Sequence, residues 1–184
     1  MHRPWYRTLF HRRQTQPADS TTTAADHEEA DAQFCLGQRF DLGKGSAAND
    51  VEAAAWYRRA ATLNHAPAQF NLGMMLAVGR GTVRNEAEAR RWIRRAAMQG
   101  HVAAQYELGA RHRRDSFQQC AEDAAASTLE AYKWFRLAAA QGHDDSVREF
   151  QNLRLRMTDE QLLEGDESAG GSTTNALTAV REEE

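Results

Sequence analysis

Three recurring histidines could serve as a series of metal ligands. His65, His101 and His143 stand at intervals of 36 and 42 residues. Zinc requires nitrogen donors that converge to about 2 Å from the metal. Residues that lie one repeating unit apart cannot converge so closely, and the sequence therefore predicts no metal site and no cofactor. We expect each imidazole to stand at the end of a helix, where it favours the negative helix terminus.

A row of arginines is the second candidate, because regularly spaced guanidinium groups can contact phosphates. Arg58, Arg94 and Arg136 occupy equivalent positions, and Arg59 and Arg95 follow the first two. The row lacks interleaved aromatic residues, and the net charge of the chain is only -3. We therefore expect a solvated helix face and no nucleic-acid partner.

The residue types needed for hydrolysis are present without the arrangement that hydrolysis requires. Serines such as Ser46 and Ser116 have no evident base, and the chain has no glycine-rich phosphate loop, nucleophile elbow or His-Glu-x-x-His motif. Its two cysteines, Cys35 and Cys120, cannot form a disulfide framework. A reducing cytoplasm is therefore the simplest location, and we do not expect an enzyme.

A repeated phrase predicts the elements that position these residues. The phrase Ala-Gln-aromatic-x-Leu-Gly begins at Ala32, Ala68 and Ala104, an interval of 36 residues each time. A second phrase, in which a tryptophan precedes an arginine by two positions, begins at Trp56, Trp92 and Trp134. A fixed period of this length is typical of a solenoid, and solenoids usually bind other proteins along an extended surface.

Each repeat is predicted to contain two helices, A and B. In the first repeat, apolar residues recur every three or four positions over about residues 26–42, and a Gly-Lys-Gly sequence then ends helix A. Helix B should begin at an Asn or Ser that precedes a Glu by three positions. The pairs are Asn49 and Glu52, Asn85 and Glu88, and Ser127 and Glu130. We expect the three tryptophans to fill the core, so that replacing one costs about 3–5 kcal/mol.

The order Ala-x-x-x-Leu-Gly, Gly-x-Gly, then Ala-x-x-Trp-x-x-x-Ala-Ala-x-x-Gly-His resembles the Sel-one-like repeat, a relative of the tetratricopeptide repeat. The resemblance covers about residues 30–143 in three copies. It implies an all-α, right-handed α/α solenoid of three two-helix repeats with a degenerate C-terminal capping helix. It also implies an adaptor role. The third copy lacks both glycines and has about six additional residues, and this insertion, 112–126, is a candidate for an individual function.

The resemblance also indicates which residues meet a partner, because helix A lines the concave face in related repeats. The candidates are Phe34, Gln38, Asp41, Phe70, Met74, Ala77, Tyr106, Ala110, Arg113 and Arg114. The three aromatic residues could instead be packing positions, and the residues that vary between repeats are the stronger candidates. The middle of this surface is apolar and its third-repeat end is basic, which suits a peptide or helix with an acidic end.

The two ends of the chain differ in composition from the repeats. Residues 1–27 are predicted to be a disordered, basic and aromatic segment, and residues 165–184 a disordered acidic tail. Residues 28–164 form the repeat domain, with repeats at about 30–65, 66–101 and 102–143 and a cap at 144–164. Trp5, Tyr6, Leu9 and Phe10 share one helical face, so the first segment could also lie on an anionic membrane or cap the first repeat.

These patterns favour a non-catalytic, cytoplasmic adaptor that binds a protein or peptide. One alternative is a hydrolase of cell-wall or β-lactam-type substrates, which would need an activated nucleophile or paired carboxylates. The other is a membrane-surface adaptor that is held by the N-terminal segment. The exposed ends of a three-repeat solenoid also allow homo-oligomers.

Overall fold

The computed structural model describes residues 20–43, 49–118 and 121–169 of the chain. Over these ranges it contains eight α-helices and no strand. The helices are α1 (Ser20–Leu42), α2 (Asp50–Thr62), α3 (Ala66–Val78), α4 (Glu86–Met98), α5 (Val102–Ser116), α6 (Ala121–Ala140), α7 (Asp144–Arg154) and α8 (Asp159–Ala169). Each helix from α1 to α7 packs mainly on its neighbours in the chain, and α8 packs on α6. This arrangement is an all-α helical-repeat solenoid, as predicted.

The recurring histidines begin helices rather than end them. Nδ1 of His65, His101 and His143 accepts a hydrogen bond of 3.1–3.2 Å from the backbone N–H three residues later. Each imidazole therefore caps the positive start of α3, α5 or α7, and the predicted role at the preceding helix end was wrong. An accepting Nδ1 carries no proton. Burial lowers the pKa of His65 and of His101 and so favours this neutral form.

Two of the three predicted caps of helix B are confirmed. Asn49 accepts from the backbone N–H groups of Val51 and Glu52, and Asn85 accepts from that of Glu88. Ser127 does not begin a helix, because α6 begins at Ala121 and contains it. α6 has 20 residues, whereas α2 and α4 have 13 each. Most of the insertion has therefore lengthened the start of helix B, and α5 is lengthened only to 15 residues.

Close contacts at glycine hold the two helices of each repeat together. A Cβ atom on the glycine of the Leu-Gly phrase would lie 2.6–2.8 Å from a side chain of helix B. Glycine is therefore the residue that permits this approach. The helix B residue is at most 1% exposed in every repeat. The pairs are Gly37 with Tyr57, Gly73 with Ile93, and Gly109 with Phe135.

The tryptophans do not occupy the core positions that the sequence predicted. Trp56, Trp92 and Trp134 are only half-buried, and the residue that follows each of them fills the core. The guanidinium groups of Arg59 and Arg95 lie 4.3 Å and 4.8 Å from the ring centroids of Trp56 and Trp92. The tryptophans therefore form an outer layer that is shared between packing and cation–π contacts.

Buried glutamines tie consecutive helices together. Gln69 donates through Nε2 to the carbonyl of Ala61 at 3.2 Å, and its Oε1 accepts from Gln99 at 2.7 Å. The same two bonds recur one repeat later, where Gln105 donates to Ala97 at 3.2 Å and accepts from Gln141 at 2.8 Å. In the first repeat, Oε1 of Gln33 is buried and has no hydrogen-bond partner among the described residues. Leu63 stands there in place of Gln99 and Gln141.

Helical structure extends beyond the predicted domain at both ends. α1 begins at Ser20 rather than near residue 26, and α8 continues to Ala169 rather than ending at residue 164. Tyr132 explains the second difference, because its hydroxyl donates to Asp166 at 3.0 Å and its ring lies against Gly165. The predictions for residues 1–19 and 170–184 lie outside the described residues.

The C-terminal pair α7 and α8 caps the last repeat. Phe150 of α7 packs on Tyr132, with ring centroids 5.1 Å apart. Thr158 begins α8 through a capping box: its Oγ1 accepts from the backbone N–H of Gln161 at 3.3 Å, and the Gln161 side chain accepts from the Thr158 N–H at 3.0 Å. None of the described helices is long and apolar enough to cross a membrane.

Candidate functional site

The aromatic residues predicted on helix A connect adjacent repeats. Phe34, Phe70 and Tyr106 each contact the capping histidine of the following helix A, with ring centroids 4.6–5.0 Å apart. All three side chains are half-buried. Because every repeat uses the same contact, this geometry fits the packing interpretation of these residues.

Asp41 is also engaged within the fold. The hydroxyl of Tyr57 donates to it at 3.1 Å, and the guanidinium of Arg80 forms an ion pair with it and with Asp50. Burial, followed by the charge of Asp41, raises the pKa of Tyr57 to about 12. The phenol is therefore a protonated donor that holds Asp41 in place. Asp41 links the first two repeats.

The remaining candidates do not gather into one site. Gln38, Met74, Ala77 and Ala110 are half-buried on successive A helices, and Arg114 is exposed at the end of α5. Met74 and Ala110 pack against the clusters of buried residues of the second and third repeats. One candidate, Arg113, lies in a groove at the C-terminal end of the fold.

This groove, here called the C-terminal groove, has a volume of about 630 Å³ and lies between the α5–α6 connection and helices α7 and α8. The insertion provides one wall with Ser116, Phe117 and Ala125. The other wall comes from α7, the α7–α8 turn and the start of α8. Its residues are Glu149, Asn152, Leu153, Leu155, Arg156, Met157 and Gln161.

Two large apolar side chains of the groove are exposed to water. Phe117 is 71% exposed and Leu155 is 86% exposed. They stand on opposite walls, one in the insertion and one in the α7–α8 turn. Covering a large apolar side chain releases about 1.5–3 kcal/mol, so an exposed pair around a concavity is typical of a surface that binds an apolar group.

The charge of the groove is positive. Its charged side chains are Arg113, Glu149 and Arg156. Arg113 forms an ion pair with Glu149 and so joins α5 to α7. Because this pair neutralises the carboxylate, Arg156 remains as the net charge, and Arg114 lies exposed in the last turn of α5. The groove thus combines exposed apolar side chains with the net positive charge of Arg156.

The predicted arginine row is not a continuous solvated face. Arg58 pairs with Glu88 at 2.8 Å. Arg136 is only 12% exposed at its side chain and pairs with Asp166 of α8 at 2.7 Å. The expectation of a uniformly solvated row was therefore wrong at Arg136, which attaches the capping helix. Within the described ranges, no group of three His, Cys, Asp or Glu side chains is arranged to hold a metal ion.

The sequence missed the groove because its second wall comes from the cap. Leu155 and Met157 fall in a short turn between two polar helices, where sequence reasoning expects only a solubilising end. The available signal was their position: two large apolar residues in a turn belong to no apolar helix face, and so they indicate a contact with another part of the chain or with a partner. Only the packing of α7 and α8 on α6 shows that they face the insertion.

Comparison with known proteins agrees with this architecture. The Sel1 repeat matches residues 30–65, 66–101 and 102–143. A Sel1 repeat protein from Oxalobacter formigenes is 32% identical over 67% of this chain and 47% of its own, with a TM-score of 0.58. A protective antigen of uropathogenic Escherichia coli strains that displays an SLR fold is 26% identical over 79% of this chain and 31% of its own, with a TM-score of 0.61. No curated protein is significantly similar.

The chain spans less than half the length of either of these two structures. Sel1 repeat proteins are generally helical-repeat modules for protein interaction. The three matched copies coincide with the helix pairs α1–α2, α3–α4 and α5–α6, and together they cover more than half of the chain. The chain therefore belongs to the Sel1 repeat family.

Proposed function

We propose that this chain is a non-catalytic adaptor that holds a segment of a partner protein in the C-terminal groove. The observation that carries the proposal is the exposure of Phe117 and Leu155 on the two walls of a concavity. A partner side chain that enters between them removes apolar surface of both residues from water. Such a buried apolar anchor is typical of the residues that contribute most to binding.

The charges indicate the chemistry of the partner segment. Arg156 lies within the groove and Arg114 lies in the last turn of α5. Acidic residues on either side of the apolar anchor would meet these guanidinium groups, and charge complementarity of this kind raises the association rate and suppresses basic competitors. We therefore propose a peptide or helix that carries one bulky apolar residue between Asp or Glu residues.

Selection from a random peptide library displayed on phage tests this proposal. The immobilised full chain should enrich peptides in which Leu, Ile, Phe or Trp is flanked by Asp or Glu. Their binding should weaken in Arg156→Glu, and it should weaken less in Arg91→Glu, an exposed arginine of α4 outside the groove. Enrichment of basic peptides, or equal binding to both variants, would contradict the proposal.

The helix A residues extend the proposal to a second contact. Gln38, Met74, Ala77 and Ala110 are half-buried, and their side chains vary between repeats. A long partner could reach them after docking in the groove. Met74→Glu should then weaken a long partner and leave a short groove peptide unaffected.

An adaptor is also favoured over the hydrolase alternative by the chemistry of the groove. Glu149 is the one carboxylate among the described residues that line the groove, so the paired carboxylates that hydrolysis would use are not found there. A chromogenic cephalosporin and a peptidoglycan suspension should both remain intact after incubation with the full chain. We place the adaptor in the cytoplasm, in keeping with the expectation from its two cysteines.

A further inference from the structure

The side of α4 that points away from the core is basic around an exposed methionine. Arg91, Arg94, Arg95 and Met98 are spaced at i, i+3, i+4 and i+7, so they lie on one side of the helix. All four are exposed, and Met98 is 72% exposed. The stretch from Arg91 to Met98 is about 10 Å long, which is two helical turns. We call these four residues the α4 face.

The carboxylates around the α4 face do not neutralise it. Those of α4 and α5 all form ion pairs with arginines other than Arg91, Arg94 and Arg95. The pairs are Glu86 and Glu107 with Arg111, Glu88 with Arg58, and Asp115 with Arg90. α3 also packs on α4 and has no charged residue. Among the described residues the three arginines of the α4 face have no ion-pair partner, so their charges face the solvent.

The acidic residues of α2 do not change this balance. Asp50 pairs with Arg80 at 3.0 Å. Glu52 is the equivalent of Glu88 one repeat earlier. Because Glu88 lies on the side of α4 that faces α2, Glu52 lies on the side of α2 that faces away from α4. The α4 face therefore keeps its positive charge.

Arg94 occupies a position that receives a carboxylate in the other two repeats. In both of them the carboxylate comes from a neighbouring helix. The pairs are Arg58 with Glu88 of α4, and Arg136 with Asp166 of α8. The corresponding residue beside Arg94 is Glu130, but it pairs with Lys133 at 3.2 Å. Arg94 thus lacks the carboxylate from a helix that its equivalents possess.

Arg95 is oriented for a carboxylate by its tryptophan. Its guanidinium lies 4.8 Å from the ring centroid of Trp92. A guanidinium that stacks on an indole keeps its N–H groups available in its own plane, where they can bind a carboxylate through two parallel hydrogen bonds. Because Trp92 is half-buried in the fold, the stacked side chain loses little freedom when a partner binds.

We infer that the α4 face is a second docking surface, which binds an acidic helix of a partner protein. A bulky apolar residue of that helix covers Met98, and Asp or Glu residues one turn away on either side meet the three arginines. Arginine and methionine are both enriched in protein interfaces. A helix is favoured because the carboxylates that bind the equivalents of Arg94 both stand on helices. None of the four residues lines the C-terminal groove, so this inference is independent of the groove partner.

Binding of a stapled helical peptide to the full chain tests the inference. The peptide carries a central Leu with a Glu one turn before it and one turn after it, and a second peptide carries Gln at both positions. In fluorescence polarisation, Arg91→Gln/Arg94→Gln/Arg95→Gln should raise the Kd of the Glu peptide at least about tenfold. Gln is a good helix former, so this variant should fold. Equal Kd values for the parent and the variant, or equal binding of the two peptides to the parent, would overturn the inference.

Two control variants separate the α4 face from total charge and from the groove. Arg39→Gln/Arg84→Gln/Arg154→Gln removes three exposed arginines elsewhere, and it should raise the Kd less than about threefold, because solvent screens distant charges. Leu155→Glu changes the groove and should leave the Kd of this peptide unchanged. If Leu155→Glu abolishes binding and the α4 variant does not, the peptide belongs to the groove and the inference is overturned.

A measurement on the parent alone does not depend on any variant. When the Glu peptide is added, the backbone amide signals of residues 91–98 should shift in ¹⁵N-correlated NMR spectra. Shifts confined to residues 149–157 would overturn the inference. Pelleting of the parent with phosphatidylglycerol vesicles, lost in the α4 variant and without any binding of the peptide, would assign the α4 face to a membrane and would also overturn it.

Discussion

The incomplete glutamine contact of the first repeat allows a substitution that should stabilise the protein. Gln69 and Gln105 each accept a hydrogen bond from a glutamine at the end of the following helix B, whereas Oε1 of Gln33 is buried without a partner. Leu63 and Gln99 occupy equivalent positions, each ending helix B with the same backbone hydrogen bonds to the preceding turn. Leu63→Gln should therefore place a donor at Oε1 of Gln33.

The magnitude follows from two opposing contributions. An unsatisfied buried acceptor costs about 1–3 kcal/mol, and its satisfaction should recover most of that free energy. Leu63 is half-buried, so its replacement loses about 1 kcal/mol of apolar burial. We expect a net increase of about 1 kcal/mol in the free energy of unfolding, which corresponds to a rise of about 3 °C in Tm.

Urea unfolding followed by circular dichroism measures this change. Leu63→Met conserves apolar volume without providing a donor and serves as the matched control. The gain should disappear in a Gln33→Leu background, because a double-mutant cycle isolates the contact between the two side chains. If Leu63→Gln unfolds at the same or a lower urea concentration than Leu63→Met, the structural equivalence of the two positions is refuted.

Three further predictions test the packing. Gly73→Ala should lower the free energy of unfolding by about 1–2 kcal/mol in urea titrations, because the added Cβ would lie 2.6 Å from Ile93 and overpacking outweighs the gain in helix propensity. Trp92→Ala should lower the free energy of unfolding by less than about 3 kcal/mol, since Trp92 is only half-buried. A larger decrease would show that Trp92 is a core residue. Burial lowers the pKa of His101 below the ordinary 6.5, so the unfolded chain binds the proton more readily. Stability from this cap should be complete above about pH 6.5 and decrease below it, and His101→Asn, which caps without titrating, should reduce that decrease in thermal melts at pH 5.

Sequence reasoning succeeded where structure depends on local signals. The caps at Asn49 and Asn85 specify the starts of α2 and α4 through residues within one turn, and the phrases at Ala32, Ala68 and Ala104 specify the repeat period. Together with the spacing of apolar residues in helix A, these signals predicted the two-helix repeats. The cap at Ser127 was predicted wrongly. The alanines of residues 124–126 are strong helix formers, and α6 includes them and begins before Ser127, at Ala121.

The tryptophan error has a different origin. Trp92 and Ile93 are adjacent in the sequence, and a phrase that conserves the tryptophan in each repeat cannot show which of the two faces the glycine. The contact of Ile93 with Gly73 is between two helices. It depends on how far each helix is rotated about its axis, and the helical period does not determine that rotation to within one residue.

The C-terminal groove was predicted only in part. Arg113 and the insertion were candidates, because an insertion in a regular array is visible in the sequence. Leu155 and Met157 were not, because their position relative to Phe117 depends on the packing of α7 and α8 on α6. That packing is held by contacts between distant residues, such as the pair of Arg136 and Asp166.

Affinity for a peptide selected on the parent chain is the most direct test of the proposed adaptor role. Fluorescence polarisation should measure its Kd with the parent, with Leu155→Glu and with Val83→Glu. Leu155 and Val83 are both 86% exposed, but only Leu155 lines the groove, so the two substitutions are matched in exposure and in added charge. We predict at least a tenfold increase in Kd for Leu155→Glu and no change for Val83→Glu. Equal affinities of the parent and Leu155→Glu would contradict the assignment of the groove as the partner site.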